Sequence, residues 1–208
     1  MSYTFDISKR QKELSQCEWN IAQIEARFGK LVSNGITPKT FDREKTLSEK
    51  ETILERVQHR AEEYCYLTRN CAKGAATALF EEFGLGNMEI IRGLSPFPGI
   101  AMSGGICGPV TGGLITMSLF FSNKNATEHE ATKAYMYSRI FIRKYEDVFG
   151  SLYCPDIQKK LLGKYFDPMA SMENFKEFNS SNAREKCVLA PGMGARIVAE
   201  IIIDSMKE

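Results

Sequence analysis

The sequence predicts an all-α protein: a helical bundle with an N-terminal antiparallel helical hairpin. Two observations point there. Apolar residues recur at three- and four-residue steps, the period of an amphipathic helix. Capping side chains and stop glycines divide the chain into helix-sized pieces, with no strand ladder and no internal repeat between them.

The first helix is expected over residues 8–34. There Leu14, Cys17, Ile21, Ile24, Phe28 and Leu31 form a narrow apolar seam, and Gly35 and Pro38 end it. The second is expected to start at Ser48, with Glu51 three residues on as in a capping box. Its seam is Leu54, Val57, Ala61, Tyr64 and Thr68. Because the seams match, residues 8–69 read as an antiparallel hairpin that packs on the remaining chain or pairs two copies into a homodimer.

A helix rich in small residues then runs from Cys71 to Phe83 and closes at Gly84, followed by a short one over residues 88–94. Residues 95–106 carry two prolines and three glycines and read as a turn-rich loop. Cys107 opens an apolar helix reaching Phe121. The next helix is capped by Thr127 with Glu130 as box partner, and Gly150 stops it; Ala134, Tyr137, Phe141, Tyr145 and Val148 are its buried stripe. Cys154-Pro155 starts a short helix ending at Gly163, since proline suits the first helical turn. Residues 164–186 read as irregular. The last helix is expected after Pro191, carrying Ile197, Val198, Ile201 and Ile202.

Composition narrows the function. The 208 residues suffice for one good-sized core, or a domain with an appendage, and 43% hydrophobic with 25% charged residues is ordinary for a globular protein. A formal net charge of +1 argues against a broad nucleic-acid footprint. The longest apolar stretch, residues 114–121, is too short for a membrane span. The N-terminus has no basic start followed by an apolar run, so the expected compartment is the cytoplasm. Six cysteines in a reducing compartment point to metal binding or redox chemistry more than to a disulfide framework.

Four cysteines, Cys71, Cys107, Cys154 and Cys187, stand where helices are expected to begin. A helix N-terminus offers unpaired N–H groups and a partial positive charge, which favour the thiolate. Against this, a free cysteine is commonly a buried apolar filler, the plain reading for Cys17 and for Cys65. Cys65 also lies six residues before Cys71, close enough in sequence to be an auxiliary or resolving thiol. Gly108 and Gly112 sit one turn apart after Cys107, and glycine in a helix costs about 1 kcal/mol relative to alanine. A neighbouring helix or a bulky prosthetic group would account for them, and Gly104-Gly105 would let the backbone approach such a group. No Cys-x-x-Cys is present, so the usual zinc-ribbon, ferredoxin and thioredoxin signatures are missing. The glycine-rich segments fit neither GxGxxG nor a P-loop. Of the two histidines, His59 lies on the hairpin and His129 in the Glu128-His129-Glu130 run, a polar face at a helix start. Gly192, Met193 and Gly194 read as shaping the approach to the last helix.

At these residues the chain resembles the redox-active family named for its pattern C-GCAxxG-C-C. The blocks are Asn70-Cys71-Ala72 with residues 78–85, then Cys107-Gly108-Pro109-Val110-Thr111-Gly112, then Phe149-Gly150-Ser151-Leu152-Tyr153-Cys154, and finally Cys187. Pro109 stands where the motif has alanine, a change tolerated so near a helix start. A similar module occurs in split-Soret cytochromes beside an iron–sulfur centre. The resemblance covers residues 60–208 and leaves residues 1–59 as a hairpin extension. It implies that Cys71, Cys107, Cys154 and Cys187 are candidate iron–sulfur ligands, with Gly104, Gly105, Gly108, Pro109 and Gly112 shaping the site.

The leading expectation is an electron-transfer or redox-sensing protein with a [2Fe–2S] cluster, served by a redox partner protein. The alternatives are metal-free thiol–disulfide chemistry, with Cys107 attacking and Lys73 or Arg92 lowering its pKa, a redox-silent zinc site, and a helical interaction module. No hydrolase, nucleotide or dehydrogenase motif is present, so any enzyme activity would be that of an oxidoreductase.

Overall fold

The computed structural model describes residues 6–123, 125 and 132–207, and among them the chain is all-α with a single isolated bridge, Ile106 to Tyr153. The N-terminal helices are α1 (Ile7–Ser15), α2 (Ile21–Asn34), α3 (Arg43–Ser48) and α4 (Lys50–Thr68). There follow α5 (Cys71–Phe83), α6 (Met88–Gly93), the single turn α7 (Gly99–Met102), α8 (Gly108–Phe121) and α9 (Thr132–Phe149). The chain ends with α10 (Cys154–Leu162), α11 (Met172–Ser180), α12 (Ala183–Lys186) and α13 (Leu189–Ser205).

Helices α4, α5, α8 and α13 make the centre, with α9 laid on α8 and α13. Helix α13 is buried on nearly every side from Leu189 to Ile203, as a helix apolar all round must be. Small residues set how closely these helices cross. A Cβ on Gly112 would lie 2.6 Å from the carbonyl oxygen of Ala72, and one on Gly74 would lie 2.6 Å from Cβ of Cys65. Gly112 and Gly74 are therefore explained in the first place by neighbouring helices.

The first 34 residues differ from expectation. The single helix over 8–34 is two, α1 and α2, separated at residues 16–20. Asn20 caps α2 by accepting the Gln23 N–H at 3.1 Å, and Trp19 stacks on Tyr66 with ring centroids 4.7 Å apart. The apolar spacing runs on across the break, which hides it from periodicity alone. Cys17 accordingly lies half-buried in the link and not on a helical seam. Helix α1 rests against α12 and α13, and Arg10 pairs with the fully buried Glu62 of α4. Helix α2 rests on α4 through Arg27–Glu63 and an edge-on contact between Phe28 and Tyr64 at 5.5 Å. Helix α4 carries its expected seam, yet it also packs on α5 and α13 and so belongs to the core.

Other boundaries shift for local reasons. Ser48 ends α3, its hydroxyl donating to the Lys45 carbonyl, while Glu51 pairs with Arg196. Helix α4 is preceded by Glu49 with no side-chain cap. Within residues 164–186, α11 and α12 replace the expected irregular chain; α11 buries no residue, although Met172, Phe175 and Phe178 recur along it at three-residue steps. Ser171 nevertheless caps it, accepting the Asn174 N–H. Helix α13 starts two residues before Pro191, which sits in its first turn where a missing N–H leaves no bond unmade. Gly192 and Gly194 let that helix approach Glu62 and Pro109. Thr127, Glu128, His129 and Glu130 lie outside the described residues. His59 is exposed and faces Glu63 at 3.4 Å.

Candidate functional site

Three helix starts converge. Cys71 is the first residue of α5, whose cap Asn70 accepts the Lys73 N–H at 3.0 Å and donates to the Ser95 carbonyl at 3.1 Å. Cys107 is the N-cap of α8, and Cys154 the first residue of α10. The isolated bridge fixes the last two against each other. The Cys107 N–H donates to Leu152 at 2.8 Å and the Cys154 N–H to Gly105 at 2.9 Å. Cys107 and Cys154, 47 positions apart, are thus locked by two backbone hydrogen bonds that no periodicity announces.

Cys187 departs from expectation. It is the C-cap of α12 in right-handed helical geometry, two residues ahead of α13, and not a helix-start thiol. It nevertheless lines the same cavity as Cys71, Cys107 and Cys154, of about 480 Å³, as does Cys65 from α4. That volume lies in the range of small-molecule sites. The outer wall is largely apolar and aromatic, including Met102, Phe166 and Phe178, with Arg69 and Arg184 at its edge. Neither arginine has a carboxylate partner among the described residues; Arg184 stacks on Tyr66 at 4.0 Å.

The glycines divide into roles. A Cβ on Gly108 would lie 2.5 Å from Sγ of Cys71, so only glycine lets α8 start beside that thiol. Gly104 adopts φ +84 and lies against Pro155 and the Tyr165 hydroxyl, and Gly105 packs on Ile100. Neither approaches the thiols closely; Gly99, with φ +54, does, since its Cβ would stand 3.4 Å from Sγ of Cys154. Gly99 and the residues after it, Ile100 to Met102, all take positive φ, a left-handed turn at the cavity edge. Pro109 sits in the first turn of α8 and packs under Gly194 of α13.

The thiols differ in acidity. The Cys107 thiol donates to the Cys154 sulfur, and this, with a 3.4 Å hydrogen bond from the Gln158 amide and despite burial, lowers the Cys154 pKa to about 7. The Gln158 carbonyl is itself held, accepting the Phe166 N–H at 3.0 Å. The same contacts with Cys154 and Cys71, together with burial, push the Cys107 thiol well up. Burial raises Cys65 and Cys187 also, helped by the neighbouring Cys71 charge. The readier thiolate is therefore Cys154, which corrects the expectation that Cys107 attacks. Lys73 and Arg92 do not line the cavity, and Arg92 is exposed near Glu89. Gln158 stands four residues after Cys154 on the same helical face, a spacing that sequence reading could have used.

Among the described residues, no three His, Cys, Asp or Glu side chains converge as a group able to grip a metal ion. Cys65, Cys71, Cys107, Cys154 and Cys187 all line the cavity. Sulfur donors suit iron–sulfur ligation. The helix starts of α5, α8 and α10 favour negative charge there. A further polar group goes unmatched: the Tyr145 hydroxyl is fully buried without a completed hydrogen bond.

The fold and site define an all-α protein with a multi-thiol cavity. The chain belongs to the family described as "Putative redox-active protein (C_GCAxxG_C_C)", whose model matches residues 69–201. That membership supports a redox role. Cys71, Cys107, Cys154 and Cys187 fall inside the matched span, and Cys65 outside it. Neither the curated proteins nor the solved structures compared with the chain gave a match. No described helix is long and apolar enough to cross a membrane.

Proposed function

We propose that Cys71, Cys107, Cys154 and Cys187 hold an iron–sulfur cluster, [2Fe–2S], and that the protein transfers electrons or senses redox state. The observation carrying this reading is that these four thiols, far apart in sequence, line one cavity. When bound, such a cluster supplies one-electron chemistry. The chain supplies four sulfur donors, three helix starts that favour negative charge, and a largely apolar wall that limits water. Arg69 and Arg184 add positive charge at its edge. Iron and acid-labile sulfide are to be quantified on protein prepared anaerobically, alongside its absorption spectrum. Two irons and two sulfides per chain are expected; colourless, iron-free protein after that handling rejects the reading.

The acidity of Cys154 favours a second reading, thiol–disulfide exchange without metal. The Cys154 thiolate would attack a substrate disulfide, forming a mixed disulfide and expelling one thiolate. Cys107, deprotonated, would then attack Sγ of Cys154 and release the second thiolate, leaving a Cys107–Cys154 disulfide and a reduced substrate. Thiol counting in metal-free protein before and after mild oxidation separates the two. A loss of two thiols is expected here, whereas unreactive thiols reject it.

A further inference from the structure

We propose that the outer part of the cavity binds a small organic anion with an aromatic body, seated between the thiols and helix α11. The cavity holds about 480 Å³, enough for such a molecule. Its inner end is sulfur, and Cys65 and Cys107 are buried there. Its outer end is not closed by core packing. Helix α11 buries no residue, yet Phe175 and Phe178, one turn apart, line the cavity together with Phe166. Phe178 meets Phe166 edge-on at 6.0 Å, and Phe175 keeps 45% of its surface exposed. Aromatic surface left in water is stabilised when an apolar group covers it. An aromatic body laid against these rings supplies that cover by offset or edge-on contact.

The charges at the edge select the anion. Arg69, Arg184 and Glu185 line the cavity, two positive side chains against one negative. Arg184 is held in place. Its Nε donates to the Tyr66 carbonyl at 3.0 Å, and its guanidinium lies 4.0 Å from the centre of the Tyr66 ring, which stacks on Trp19. Among the described residues no acceptor takes its terminal N–H groups. A fixed guanidinium with free N–H groups matches a carboxylate or sulfonate. Arg69 is the C-cap of α4 in left-handed geometry, with φ 52. Glycine takes that conformation without strain and is the usual residue there. Capping therefore does not account for the Arg69 guanidinium, which stands at the cavity. Glu185 offsets one of the two positive charges, so the set balances a single negative charge and disfavours a polyanion. This reading concerns the aromatic and charged end of the cavity, and it stands whether or not the thiols hold a metal.

The probe is anilinonaphthalene sulfonate, an aromatic monoanion that reports apolar sites by fluorescence. It is titrated into the full chain, prepared anaerobically and reduced, beside phenylnaphthylamine, its neutral counterpart without the sulfonate. One sulfonate per chain is expected, bound more tightly than the amine. The double variant Arg69→Gln with Arg184→Gln should bind the sulfonate about tenfold more weakly, the scale of one charge-assisted hydrogen bond, and the amine as before. Phe178→Ala should weaken both probes, and Glu185→Gln should tighten the sulfonate alone. Lys176→Gln removes a positive charge from α11 outside the cavity lining; it is the control and should move neither. Helical circular dichroism checks that each variant is folded, and if Phe178→Ala is not, the arginine and Glu185 variants decide. Failure of the parent to bind the sulfonate, or an equal loss of both probes in the arginine variant, overturns the proposal. Iron-free parent that binds the sulfonate rejects the cluster reading and leaves this one standing. Iron-loaded parent that does not bind it does the reverse.

Discussion

Gly108→Ala tests whether the close start of α8 beside Cys71 is required. The added Cβ would stand 2.5 Å from Sγ of Cys71, 2.7 Å from the Ala72 nitrogen and 3.1 Å from its Cβ. Ordinary carbon contacts are about 3.5–4.0 Å, so the approach is short by roughly 1 Å. The obstructing atoms are a backbone nitrogen and a sulfur on its first carbon, and α5 cannot retreat because α4 and α13 pack behind it. Overpacking of this kind costs about 3 kcal/mol at the upper end, and alanine regains about 1 kcal/mol over glycine in a helix. The net loss is about 2 kcal/mol, or a Tm roughly 4–8 °C lower for a chain of this size. Gly29→Ala in α2 is the control: nothing lies within 4 Å of its Cβ, so it should gain about 1 kcal/mol. Thermal unfolding of reduced protein, followed by helical circular dichroism, reads both. A Gly108→Ala protein as stable as its parent, beside a stabilised Gly29→Ala, would refute the argument that backbone proximity fixes this glycine.

Three more expectations concern the thiols and the N-terminal helix. In reduced, metal-free protein, alkylation of Cys154 should rise with pH through about 7, because only the thiolate attacks. Cys107→Ala should move that midpoint up toward the ordinary 9.0, and a parent midpoint already at 9 would contradict the assignment. If the family cysteines are the ligands, Cys187→Ser should abolish iron retention and Cys65→Ser should spare it; the reverse result would put Cys65 in the site. Arg10→Ala leaves Glu62 buried without its guanidinium, so urea denaturation should show a loss of about 3 kcal/mol, the low end for breaking a buried pair. A loss under about 0.5 kcal/mol, the scale of an exposed pair, would mean that α1 is not anchored there.

Much of the helix layout was legible because it is local. Cys71–Phe83 with its left-handed Gly84 cap, and Cys154–Leu162 closed by Gly163, both follow from capping chemistry and spacing. Where the local signal continued through a break, as across residues 16–20, the reading merged two helices. In α11 the signal is short: Met172, Phe175 and Phe178 recur at three-residue steps over nine residues, and none of them is buried.

The sequence by itself determined the all-α class, the four family cysteines and the small residues after Cys107, since each rests on residue type and spacing along one chain. Only the tertiary structure decided that Cys65 joins those four at one cavity, that Cys154 and not Cys107 is the readier thiolate, and that Cys187 follows α12 instead of opening a helix. Acidity and convergence depend on which groups meet across the fold. A hydrogen bond from Cys107, an amide from Gln158 and a bridge between Ile106 and Tyr153 set them here, and apart from the i, i+4 spacing of Gln158 none of these contacts leaves a periodic trace in the chain.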